Sequence, residues 1–287
     1  MMDTDYCLER RLSMLNTELH RRYKDCVLTS QAMLTRYQSV FPEYTDHTIL
    51  HTMNVTDFCN RLIGEQVYSL TADAIYVLLM GCLFHDVGMG VSLEDYKNFM
   101  LRLGNQSSAL VLDEDIRNFH NEFSAMYLEK YWKLLDIPDK TYLFAIMQVA
   151  KGHRKTELMH AEDYPATYLV ENGSSVCLPY LAAVLRLADE LDISDERNTV
   201  LMYDIDMIKN PISHMEFSKH KAIHSVELDE HTITLCAQSN DPVIRSELML
   251  IREKIEETLH YCRMVATKRS AFVITQQTVQ LIMNNVK

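Results

Sequence analysis

A mainly helical fold with a small α+β segment at its C-terminal end is what these 287 residues predict, and three observations carry the prediction. Glycine and proline number only 7 and 6, well under half of an average usage of about 12%. Apolar residues recur every three to four positions along most of the first 198 residues, the period of a helix with one buried face. Past about Asn198 the pattern changes to the alternation of strands. Hydrophobic residues at 47% and charged residues at 24% supply an ordinary core. So turn-poor a chain excludes a β-sandwich or propeller.

Two units are expected. In a helical domain over 1–198, the helices of residues 1–40 pack on a core at about 41–198, and 199–287 forms a small α+β segment. Leu8, Leu12, Leu15 and Leu19 mark the opening helical stretch, with no breaker until Pro42. Thr45 or Asp46 can cap a helix to about Ile63, striped by Ile49, Val55, Phe58 and Leu62. Thr71 caps a second helix from Ala72 to about Phe84 that is apolar nearly all round and therefore buried. Residues 91–112 read as short helical pieces and loop. A long amphipathic helix then runs from Asp113 to about Leu135, and another begins at Pro138 and reaches about Ala150. Glu171-Asn172-Gly173-Ser174 signals a hairpin before a helix over Leu181–Leu191. Lys219-His220-Lys221 reads as an exposed loop. Strands over Ile223–Leu228 and Thr232–Cys236, a helix from about Pro242 to Thr267 and a last strand at Phe272–Ile274 complete the chain.

The net charge of −12 gives no general attraction for duplex phosphates, so duplex nucleic acid is not an expected partner. The longest apolar run, Ala74–Phe84, is too short to span a bilayer. Seven cysteines without a CxxC pair and an acidic amino terminus point to free thiols in a reducing, cytoplasmic setting.

The candidate chemistry lies in histidines and acids spaced along the helical part. His51, His85-Asp86, His120, His153 and Asp189 are separated by 34, 35, 33 and 36 residues. That is roughly a helix out, a connection and a helix back, so side chains on different helices can converge in one bundle core. A lone histidine on an apolar face is ordinarily a hydrogen-bonded core residue. An Asp buried beside a histidine after a wholly apolar helix needs a partner, and a cation serves. Mixed imidazole and carboxylate donors suit Mn, Fe, Co, Ni or Zn, with Mg also admissible, and not Ca. A zinc-protease reading of His47 and His51 fails because Thr48 stands where that motif needs Glu. The acids Asp189, Glu190, Asp192, Asp195 and Glu196 crowd a helix C-terminus, where the dipole disfavours negative charge. A nearby cation accounts for part of this run; Asp195 and Glu196 read as solvated, and Asp192 stays open.

The order His51-Thr-Met-Asn-Val55, then His85-Asp86-Val87-Gly88, then Leu185-Arg186-Leu187-Ala188-Asp189 resembles the HD superfamily of metal-dependent phosphohydrolases over roughly residues 40–198. His120-Asn-Glu-Phe-Ser124 is similar to the extra-histidine helix of members that hold a second metal or use this histidine in catalysis, and Gly152-His153-Arg154 would supply the other histidine. The resemblance implies an HD-type bundle with His51, His85, Asp86 and Asp189 on a first metal, and His120 and His153 on a second bridged by Asp86. Asp86 and His120 would be catalytic, with a metal-bound hydroxide attacking phosphorus. Arg154, Lys155 or Arg197 would neutralise phosphate charge. The segment Met89–Asp95 lacks the further histidines of the deoxynucleotide triphosphohydrolases, and no GYP signature is present. The expected activity is therefore hydrolysis of a nucleotide or related phosphoester. The alternatives are a non-catalytic nucleotide- and metal-binding module coupled to an ATPase or signalling partner, and a purely structural scaffold. Exposed apolar helix faces make a homodimer the expected assembly.

Overall fold

The apolar run after Thr71 sets the architecture. In the computed structural model, which describes residues 7–34, 49–104, 113–193 and 211–285, it forms a helix buried on every side. The mainly helical fold with a small sheet-containing C-terminal part is as the composition predicts.

Two helices open the described chain, α1 (Leu8–Leu15) and α2 (Thr17–Leu34). The single stretch expected here is broken at Asn16, whose Oδ1 accepts the Glu18 and Leu19 N–H groups at 3.1 and 3.0 Å and so caps α2. Helix α3 (Ile49–Ile63) carries His51 and buries Val55, Phe58, Cys59 and Leu62. Thr71 accepts from the Ala74 N–H and starts α4 (Ala72–Phe84), at the centre of the bundle. With the 3₁₀ turn that follows, α4 makes an apolar stretch of 19 residues that is 94% buried. This is longer than the run counted in the sequence, and its burial marks it as the core helix. The loop expected after it contains one full helix, α5 (Leu93–Arg102), capped by Ser92.

Helix α6 (Asp113–Tyr131) ends earlier than Leu135, because the chain turns through Asp136 at φ 49°. Its successor α7 (Lys140–Lys151) is capped by Asp139, so Pro138 lies before the cap and not inside the helix. The predicted hairpin is present as β1 (Tyr168–Leu169) and β2 (Ser175–Val176), with Gly173 at φ 82° supplying the left-handed turn. Helix α8 (Leu178–Leu191) begins three residues earlier than expected, with Pro179 in its first turn.

The C-terminal part contains α9 (Pro211–Ala222), β3 (Ile223–Leu228), β4 (Thr232–Gln238), α10 (Pro242–Arg269) and β5 (Thr278–Asn284). The Lys219-His220-Lys221 loop is thereby corrected. All three lie on α9, and Lys219 and His220 are buried. The last strand is also displaced. Residues 272–274 do not join the sheet, since the Val273 backbone pairs with the Gln66 side chain and Phe272 stacks on Tyr180. The sheet has the order β3-β4-β5, with β3 antiparallel and β5 parallel to β4. One main buried core links α1, α4, α7, α8, the sheet and α10, and a smaller cluster (Met89, Tyr96, Phe99, Ile116, Phe123) lies under α5 and α6.

Candidate metal centre

Helix α4 ends at Phe84, so His85 and Asp86 leave the core at its C-terminus and turn into the cavity between α3, α6, α7 and α8. The turn is tight. A Cβ on Gly88 would lie 2.2 Å from the His120 carbonyl oxygen and 2.7 Å from the Ser124 nitrogen, so only glycine lets α6 approach this closely. Ser124 closes the contact by donating to the His85 carbonyl at 2.6 Å and accepting the Gly88 N–H at 2.9 Å.

Five helices and connections bring the predicted residues together. His51 (α3), His85 and Asp86 (after α4) and Asp189 (α8) form one group, and Asp86, His120 (α6) and His153 (after α7) form a second. Within each group the donor atoms lie within 4.8 Å of one another. The Asp86 carboxylate divides between them. Its Oδ2 lies 3.4 Å from Nε2 of both His51 and His85, and its Oδ1 lies 3.3 Å from His120 Nε2 and 3.5 Å from His153 Nε2. Asp189 Oδ1 closes the first group at 3.2 Å from His51 and 3.6 Å from His85.

The far side of each ring explains why the Nε2 atoms face inward. Nδ1 of His85, His120 and His153 meets the backbone carbonyls of Cys82, Arg117 and Ala150 at 2.7, 3.0 and 2.6 Å. A carbonyl only accepts, so each Nδ1 is turned to it as the donor and Nε2 is the atom left facing the cavity. His51 Nδ1 meets the Asp192 carboxylate at 2.5 Å, and Asn54 donates to the other Asp192 oxygen at 3.1 Å. Such outer partners fix the tautomer and orientation of metal-binding imidazoles.

The electrostatics favour a positive charge. The Nε2 atoms of His51 and His85 are 3.1 Å apart and those of His120 and His153 3.0 Å, so imidazole nitrogens and carboxylates crowd one buried site. Burial alone would lower the His85 pKa, but Asp86 and Asp189 outweigh it and hold this imidazole well above its ordinary range. His153, pushed down to about 3 by burial and then by the charge of His85, stays neutral. Asp189 is held well below the carboxylate range, because hydrogen bonds from His51 and His85 overcome its burial. A divalent ion with bonds of about 2.1 Å has neighbouring ligand atoms about 3.0–3.4 Å apart. The contacts of both groups cluster near that spacing, so these residues fit such an ion.

A profile of the HD-CE family matches residues 41–265. The chain belongs to the HD-CE family. No curated protein matches it. The HD-CE match spans the bundle from α3 onward together with β3, β4 and most of α10, and both histidine groups lie inside it.

Of the other residues singled out in the sequence of this HD-CE protein, Arg154 stands behind His120. Its Nη1 donates to the Arg117 carbonyl and lies 3.2 Å from His120 Nδ1. Lys155 is exposed at the mouth of the adjoining cleft. Arg197, His47, Asp195 and Glu196 lie outside the described residues. Sequence reasoning gave no role to Asn54, Ser124 or Arg186. Arg186 carried a usable signal, a lone cation within an otherwise apolar helical run.

Proposed function

We propose that the protein is a divalent-metal-dependent phosphohydrolase that cleaves a nucleotide or a related phosphoester. The observation that carries this reading is the Asp86 carboxylate, with one oxygen toward the His51–His85 pair and the other toward His120–His153. His51, His85, Asp86 and Asp189 would hold a first ion, and Asp86, His120 and His153 a second. When bound, such ions acidify a water and stabilise the charge on phosphoryl oxygens.

The remaining roles fall to the chain. A cleft of about 850 Å³ opens on Asp86, His120, His153 and Asp189, within the range of sites that enclose small organic ligands. Arg154 and Lys155 on its wall oppose phosphate charge. Hydrolysis forms one P–O bond from water, breaks the ester P–O bond and requires a proton on the leaving oxygen. His120, which lines the cleft, is the imidazole positioned to manage that proton when it is not a ligand.

Metal content of the purified protein and of Asp86→Ala, followed by a phosphoester panel, tests the reading. One or two equivalents of a transition metal, lost together with turnover in Asp86→Ala, is the expected result. Metal binding without any hydrolysed product would instead favour a regulatory module. No metal after reloading with Mn or Fe would overturn the enzyme reading.

A further inference from the structure

His153 sits on no regular element. It lies in the connection that leaves α7 at Lys151, where the last carbonyls of a helix have no intrahelical partner. Arg186, on α8 one turn before Asp189, bonds the carbonyls just past that end. Its Nε donates to the Gly152 carbonyl at 2.8 Å, and its Nη2 donates to the carbonyls of Arg154 and Thr156, the latter at 2.7 Å. One guanidinium thus spans both sides of His153.

A second layer comes from α10. The Tyr261 ring lies over the Arg186 guanidinium, 5.0 Å from its Cζ. Its hydroxyl donates to Glu157 Oε1 at 2.7 Å and accepts the Leu158 N–H at 2.8 Å. Arg269, at the end of the same helix, donates to the carbonyls of Met159 and Tyr164, the latter at 2.8 Å. Side chains of α8 and α10 thus brace the connection carrying His153, beside the bond from Arg154 to the Arg117 carbonyl of α6. None of these groups appears among the bonds that orient His51 or His85.

We propose that Arg186 and Tyr261 are positioning residues that hold the His153 connection in register with His120 and Asp86, so that α10 sets the affinity of the second ion group and not of the first. The inference rests on the two-ion reading above and adds a dependence of one half of the site on the C-terminal helix. Arg186 and Tyr261 act through His153.

The test uses the full chain, stripped of metal and titrated with Mn²⁺, alongside hydrogen exchange on the metal-free protein. In Tyr261→Phe and Arg186→Gln the second equivalent of Mn²⁺ should weaken about 10- to 100-fold, as for partners outside the ligand set, with the first unchanged. Arg186→Lys should fall between these and the parent. Amides of residues 152–158 should exchange faster in Tyr261→Phe and Arg186→Gln, while those of α4 do not change. His153→Ala should lose the second equivalent yet keep the exchange pattern of the parent. Unchanged exchange at 152–158 in Tyr261→Phe, the milder substitution, overturns the proposal. So does faster exchange with an unchanged second equivalent, or an equal loss at both groups. If the parent binds no Mn²⁺, the phosphohydrolase reading fails by itself, and the exchange result alone decides whether the clamp exists.

Discussion

The two halves of the candidate centre share Asp86 but are built from different material. The His51–His85–Asp189 half is cut into the main core. Its residues come from α3, the end of α4 and α8, and His51 leans on the fully buried Asp192 carboxylate. The His120–His153 half stands on the smaller cluster beneath α6 and on an irregular connection, and its rings lean on main-chain carbonyls. A core-built half inherits the rigidity of packed helices, whereas the other depends on a few polar bonds that can be removed singly.

The largest expected contrast comes from the ligands themselves. His85→Ala should abolish binding in the first group, and His153→Ala should remove one equivalent while leaving the first in place. Isothermal titration with Mn²⁺ reads both, and identical losses in the two variants would erase the distinction between the halves. Asp192→Asn sharpens it, because it replaces the carboxylate that meets His51 and Asn54 on α3. First-group affinity should fall about 10- to 100-fold, with the second group unmoved.

Gly88→Ala probes the joint between the halves. The added methyl meets the His120 carbonyl and forces α6 outward. A loss of about 1–3 kcal/mol in stability is expected, measured by urea unfolding, together with a weaker second group. The smallest effect belongs far from the site. Asp139 caps α7, accepting the Thr141 and Tyr142 N–H groups at 2.7 and 3.2 Å. Asp139→Ala should cost about 1 kcal/mol. Burial would raise the Asp139 pKa, but hydrogen bonds from Thr141 and Tyr142 outweigh it and hold the carboxyl below its ordinary range. The stabilisation is therefore complete above that range and is lost as pH falls through the folded value. The difference between parent and variant should shrink in unfolding experiments run under increasingly acid conditions.

Most of the ligand geometry is legible in the sequence because it depends on periodicity. An all-apolar helix ending in His85-Asp86 has to deliver both side chains to the bundle interior, and spacings near 35 residues bring the remaining donors alongside. Partners that depend on distant packing are not legible in this way. Asp192 lies in a run of acids at a helix end, a setting shared by solvated carboxylates, and only the approach of α3 reveals its bond to His51. Arg186 and Tyr261 meet across 75 positions (186 to 261) with no local pattern to join them. The strand expected at Phe272–Ile274 has the right residue types, but Gln66, from the other end of the chain, takes its backbone bonds, and the ladder forms six residues later, from Thr278.

The parallel pairing of β5 with β4 has a kinetic consequence. Thr232 meets Thr278 only after all of α10 has been laid down between them. Every bond of that ladder therefore waits on the closure of one long loop, whose entropy is lost before any pairing repays it.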